Sequence, residues 1–154
     1  MSIEDKLHQM GLELPDPPKP VASYVPCVRT GNLLFVSGQV PKEKGALRYA
    51  GHLGGERSLD DGYQAARLCA LNALSVVKQA VGSLDRVRRI VKLTGYVASA
   101  AGFTDQPKVV DGASKFLVEL FGERGQHARA AVGVNELPLG SAVELEMIVE
   151  VEGQ

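Results

Sequence analysis

Arg129 sits among small residues, Ala128, Ala130 and Ala131, in a segment that reads as a strand. A planar guanidinium with forked donors suits two-point capture of a carboxylate, which the ammonium of lysine does less well. The competing reading is an ordinary ion pair with Glu144 or Glu146, and residue type and spacing leave the two open. Glu144 has the chemistry of a general base, which needs hydrogen-bond reach and a suitable protonation state. Glu146, Glu150 and Glu152 share its environment in the sequence and read as solvated. Gly38 directly follows an apolar run, where a backbone without Cβ lets a ligand approach; a bulge or a strand end accounts for it as well. Tyr24, ahead of that run, reads as a half-buried strand residue.

Other chemistries lack their residues. Cys27 and Cys69 have no metal-ligand spacing and read as two buried free thiols, and His127 has no second histidine to form an acid–base pair. No metal and no cofactor is therefore expected. The formal net charge of −1 and the absence of Trp speak against nucleic-acid binding, and Arg86-Val87-Arg88-Arg89 reads as a solvated surface. The N-terminus is polar and no apolar run is long enough to cross a bilayer, so the expected location is the cytoplasm, without membrane contact.

These residues need elements to position them. At 154 residues with 45% hydrophobic content the chain fits one domain with a substantial core. Residues 3–10 carry Ile3, Leu7 and Met10 at helical spacing. Leu14 to Pro20 holds four prolines and reads as an extended arm over the domain. Tyr24–Arg29 and Leu33–Ser37 flank Thr30-Gly31-Asn32 as a hairpin. Residues 40–57 are loop-rich, with a short strand at Leu47–Ala50. Ser58 with Asp61 opens a long helix that Gly82 stops, its polar stripe being Gln64, Arg67, Ser75 and Lys78. A stripe that narrow implies cover on most sides, by a sheet and by a neighbouring subunit. Ile90–Ala98 is strand-like. Asp105-Gln106-Pro107 starts a second helix that ends at Gly122. Strands at Ala128–Val134 and Ala142–Val151 complete the order β-β-(β)-α-β-α-β-β. The last strand alternates apolar residues with a mostly acidic outer face. One mixed sheet with both helices on one face gives a two-layer α+β domain.

Gly31-Asn32-Leu33-Leu34-Phe35-Val36-Ser37-Gly38-Gln39-Val40-Pro41 matches a GN-hydrophobic-SGQ-P motif. Ala128-Arg129-Ala130-Ala131-Val132, then Leu137-Pro138 and Val143-Glu144-Leu145-Glu146, match AR-x-x-V…LP…hydrophobic-E-hydrophobic-E. Together, and in this order, they resemble the RidA/YjgF superfamily over residues 20–152, as a divergent branch. The helix and proline-rich arm read above then occupy 1–20, and the resemblance implies a RidA/YjgF-like domain over 21–154. It also implies a chorismate-mutase-like fold and a homotrimer with its ligand sites between subunits.

By the same resemblance, Arg129 holds a substrate carboxylate and Glu144 positions the water that attacks a C=N carbon. Tyr24 and Gly38 line the pocket, and backbone groups near Ala130 and Ala131 steady the water or a developing charge. Active deaminases of the family carry Cys where this chain has Ala131. Asp111 stands near a position often held by Asn, where an acidic group repels a substrate carboxylate unless it pairs with Arg129 or points away. The implied activity is hydrolysis of reactive 2-imino or enamino acids to 2-keto acids and ammonia, which protects pyridoxal-phosphate enzymes. The alternative is a trimer that binds a small carboxylate without catalysis. Cleavage of RNA, suggested by the endoribonuclease label some members carry, finds little support in these residues.

Overall fold

The computed structural model describes residues 1–19 and 23–153. Pro20, the last proline of the arm, and the domain boundary expected after it lie outside these residues. Helix α1 (Ile3–Gln9) is closed by a reciprocal cap in which Ser2 and Asp5 each accept the other's backbone N–H. It buries Ile3 and Leu7 in the main core. Glu4 reaches across to accept the Leu84 N–H at 2.7 Å, so α1 in turn caps the short 3-10 turn Leu84–Arg86.

The expected hairpin is present as β1 (Cys27–Thr30) and β2 (Leu33–Gln39), with Gly31 at φ 58° in the turn. Its first strand begins three residues later than the sequence suggests, beyond Pro26, which has no N–H to give to a ladder. The strand expected at Leu47–Ala50 is instead a two-residue ribbon, β3 (Lys42–Glu43) with β4 (Ala46–Leu47), and Ala50 keeps a single bridge to Ser141. Helix α2 (Leu59–Val81) has the predicted Ser58–Asp61 cap and ends at Gly82, φ 90°. Strand β5 (Val87–Ala98), helix α3 (Gln106–Phe121), strand β6 (Ala128–Val134) and strand β7 (Val143–Val151) follow.

The main sheet has five strands in the order β1-β2-β7-β5-β6, with β5 and β6 parallel and the other pairs antiparallel. Strand β7 is central, and Val143, Leu145, Met147, Val149 and Val151 are all buried beneath the helices. Truncating Leu145 to alanine would cost roughly 2–5 kcal/mol. Helices α2 and α3 pack close because small residues meet there: a Cβ on Gly112 would collide with the Tyr63 backbone, and one on Gly62 would press on Leu53 and Val109. Among the described residues the other sheet face carries no helix. Val28, Phe35 and Val132 lie on it and are exposed.

Two expectations need correction. Ser75 does not belong to a solvated stripe: it is buried and donates to the Asn72 carbonyl at 2.7 Å, a local bond that satisfies its hydroxyl inside the fold. Cys69 is buried, but Cys27 is only half-buried, because β1 is an edge strand.

Candidate functional site

Strand parity decides which way Arg129 points. In the parallel register it lies opposite Leu93, whose side chain is buried under the helices, so Arg129 is on the helix side at the outer edge of the sheet. Its Nη1 donates to Asp111 Oδ1 at 2.8 Å and to Ser114 Oγ at 3.2 Å. Asp111 and Ser114 are three apart on α3 and therefore share a face. Ser114 Oγ is also 2.8 Å from His127 Nε2, and His127 Nδ1 is 2.6 Å from the Gly125 carbonyl. A carbonyl only accepts, so Nδ1 carries a hydrogen, and in the neutral ring Nε2 then accepts from the Ser114 hydroxyl. The direction of the chain is then fixed: Arg129 to Ser114, Ser114 to His127, His127 to Gly125.

The ion pair expected as the alternative, Arg129 with Glu144 or Glu146, does not form. Those glutamates project from the opposite face of the sheet, and Arg129 pairs with Asp111 instead. The two side chains of this pair are 24% and 36% exposed, so solvent screening limits it to on the order of 1 kcal/mol.

Glu144 lies on the helix-free face, opposite Tyr96 of β5, while Thr94 lies opposite Glu146. Across β2 the register slips by one residue between Val36 and Gln39, a bulge that contains Gly38. The bulge is what brings the strand onto Glu144: a Cβ at Gly38 would collide with its carboxylate, at 3.0 Å from Cδ. The close-approach and bulge readings of Gly38 are thus one feature. Burial, and next the like charge of Glu146, push the Glu144 carboxyl above its ordinary range. Tyr96 donates to Glu146 Oε1 at 2.6 Å, and this bond, with desolvation, pushes its phenol up to about 12. Behind β7 the Cys69 thiol is raised far by burial, which leaves it inert as a nucleophile.

Tyr24 and Gly38 line one cavity of about 820 Å³, with Ser37, Gln39 and the buried Asn72, beneath Pro15 and Pro18 of the arm. Loop residues Val40, Lys42 and Lys44 also line it, whereas none of residues 99–105 does. Ala131 faces the helices beside Arg129 and lies opposite Gly95, and Ala130 faces the other way, opposite Thr94. Among the described residues no strand pairs with the outer edge of β6, which leaves alternate backbone groups near Ala130 and Ala131 unpaired.

The predicted residues therefore form two groups. Arg129, Asp111 and Ala131 lie at the β6 edge; at the β2 bulge Gly38 meets Glu144 and shares a cavity with Tyr24, and Glu144 does not line that cavity. The register row Glu144–Tyr96–Val132 puts Arg129 two strands across and three residues along from Glu144, roughly 14 Å at ordinary sheet spacings. Sequence reasoning missed Ser114, His127 and Tyr96. Two of these had a signal: Ser114 stands at i+3 from Asp111, and His127 at i−2 from Arg129 shares its side of an extended strand.

Among the described residues no group of three or more His, Cys, Asp or Glu could hold a metal ion, and no helix is long and apolar enough to cross a membrane. The chain is 44% identical over 149 residues to Protein TCP17 of Trypanosoma cruzi, covering 96% of this chain and 93% of that one. It is similar to the crystal structure of Atu1372, a protein of unknown function from Agrobacterium tumefaciens, with a TM-score of 0.92, 44% identity, and 97% and 92% of the two chains covered. It is also 28% identical over 148 residues to a 2-iminobutanoate/2-iminopropanoate deaminase of Dermatophagoides farinae, covering 92% and 95%. Residues 4–151 match the family described as "YjgF/chorismate_mutase-like, putative endoribonuclease". With that match over nearly its whole length and the α+β architecture above, the chain belongs to the YjgF/chorismate mutase-like family.

Proposed function

We propose that the protein hydrolyses 2-imino acids to 2-keto acids and ammonia, at a site that two copies complete. The observation that carries this reading is the contrast in how the two charged groups are held. Arg129 is held at Nη1 alone, so Nε and Nη2, the parallel donors of the fork, keep no partner among the described residues. Glu144 accepts no hydrogen bond from the described residues and has a raised pKa, which makes it a stronger base than an ordinary surface glutamate.

In this mechanism Arg129 takes the substrate carboxylate on its Nε–Nη2 edge. Glu144 removes a proton from water as the water oxygen bonds to C2, and the C=N electron pair moves to nitrogen. Protons pass to the nitrogen, the C–N bond breaks, ammonia leaves and a C=O remains. Backbone groups at the Ala130–Ala131 edge steady the developing charge. Tyr24 and Gly38 form the wall beside Glu144.

Arg129 and Glu144 project from opposite faces of one sheet, so a small substrate meets both only if a second copy brings its bulge to the β6 edge. The exposed Val28, Phe35 and Val132 on the helix-free face supply apolar surface for such packing. A closed ring of three copies, with one site per interface, satisfies this geometry. Sedimentation of the full chain tests the assembly. The activity is tested by generating 2-iminopropanoate with an amino-acid oxidase and following 2-keto acid release. Acceleration by the wild type and its loss in Arg129→Ala are expected, and a rate equal to the uncatalysed one would refute the activity.

A second reading, carboxylate binding without turnover, is favoured by Ala131, which leaves the β6 edge without the thiol of active deaminases. Calorimetry with 2-keto acids, showing Arg129-dependent binding alongside no turnover, would select it.

A further inference from the structure

The Arg129 guanidinium is paired with a carboxylate of its own chain. Asp111 Oδ1 sits 2.8 Å from Nη1, while Asp111 Oδ2 has no partner among the described residues. Close backbone packing surrounds this pair. Gly112, next to Asp111, is pressed so closely on the Tyr63 backbone that a Cβ would not fit. Gly125, whose carbonyl anchors His127, is pressed in the same way on the backbone of Leu117 and Val118. Helices α3 and α2 thus meet backbone to backbone beside Asp111, and the Arg129–Ser114–His127–Gly125 chain ends on a main-chain carbonyl.

The charge balance sets what such a clamp can accept. Arg129 alone would attract any small carboxylate, whatever its C2 substituent. With Asp111 in place the pair is neutral, and a second carboxylate on the same guanidinium brings the cluster to a net single negative charge, partly shielded from water. A ligand whose C2 bears a protonated nitrogen restores neutrality within this cluster and supplies the donor that Asp111 Oδ2 lacks; the Glu144 that a second copy brings adds a preference of the same sign, which a change at Asp111 leaves in place. A ketone or a hydroxyl at C2 brings no charge. From this we infer that Asp111 is a specificity-determining residue, selecting acids with a cationic nitrogen at C2 over 2-keto and 2-hydroxy acids of the same shape. The inference rests on Arg129 being the carboxylate clamp. In a hydrolase of 2-imino acids it gives a direction to the cycle: the substrate in its iminium form is held, and the 2-keto product, which has lost the nitrogen, is released.

The test is calorimetry of the full chain with three stable acids of one shape, 2-aminobutanoate, 2-oxobutanoate and 2-hydroxybutanoate. The wild type should bind the amino acid about ten-fold more tightly than the other two. Asp111→Asn, similar in size but uncharged, should lower that ratio several-fold, to the part that Glu144 supplies, and Asp111→Ser should do the same if the amide variant does not fold. Ser114→Ala keeps the charge and loosens only the guanidinium, so it should weaken all three ligands alike, a few-fold, with the ratio kept. Binding that depends on Arg129 but shows no amino-acid preference, or a ratio unchanged by removal of the Asp111 charge, overturns the inference alone. If none of the acids binds, or Arg129→Ala binds them as before, the clamp reading itself fails and the inference falls with it.

Discussion

The β6 edge and the β2 bulge handle charge in opposite ways. At the edge, Arg129 has partners that fix its direction: a carboxylate, a hydroxyl, and behind the hydroxyl an imidazole tied to a backbone carbonyl. At the bulge, Glu144 meets burial, a like charge and the bare Cα of Gly38, with no donor among the described residues. In the proposed mechanism the first arrangement suits a binding group aimed at its ligand, and the second suits a base kept reactive by withholding partners. The difference teaches that a charged group can be aimed by partners on one nitrogen while its Nε–Nη2 edge stays open, whereas a group that must move a proton gains from having no donor at all.

The contrast breaks most visibly at Arg129. Arg129→Ala should lower kcat/KM for a 2-imino acid by about 10²–10³-fold, the effect of losing one partner of a buried charge pair. Steady-state keto-acid release measures it, and a change below a few-fold would show that this edge does not bind the substrate.

Glu144→Gln should lower kcat by about 10²-fold while leaving the binding of an inert carboxylate unchanged. Its stability should move the other way. The folded-state pKa of Glu144 lies above its unfolded value, so its contribution is fully present below the unfolded pKa and is lost as pH rises through the folded one. At neutral pH the ionised carboxylate is therefore a net cost, and the glutamine variant should melt at the same temperature or higher. A clear drop in Tm at neutral pH would mean that Glu144 has a stabilising partner.

Gly38→Ala tests the collision directly. The new Cβ must displace the Glu144 carboxylate or open the bulge, costing about 1–3 kcal/mol of stability. The expected kinetic signature is a fall in kcat of about ten-fold with KM little changed. An unaltered kcat would separate Gly38 from Glu144.

The smallest effect is expected from Glu146→Gln. Removing the like charge lets Glu144 ionise more easily, so the acid limb of the pH–rate profile should shift to lower pH. In the same variant the Tyr96 phenol, held at about 12 chiefly by its bond to Glu146, should titrate nearer its ordinary value, as read by phenolate absorbance. An unmoved acid limb would assign it to a group other than Glu144.

Much of this architecture was legible before any coordinates. The Ser58–Asp61 cap and Gly82 bound α2 because capping is a local interaction, and the strict alternation of Val143 to Val151 showed which side of β7 meets the core. The two motif blocks pointed to the family by residue identity. Strand ends were less legible, since where β1 starts and how β3 and β4 pair depend on partners far along the chain.

What the sequence by itself determined is which groups the protein possesses: a guanidinium at 129, carboxylates at 111, 144 and 146, and a glycine at 38. It could not determine the direction of Arg129, because Ala128–Val134 alternates only small and apolar residues and so carries no signal for the buried side. Parallel pairing with β5 settled that direction, turning Arg129 toward Asp111 and away from Glu144. One step of register reverses every side chain in a strand, and register is fixed by the whole sheet rather than by the segment.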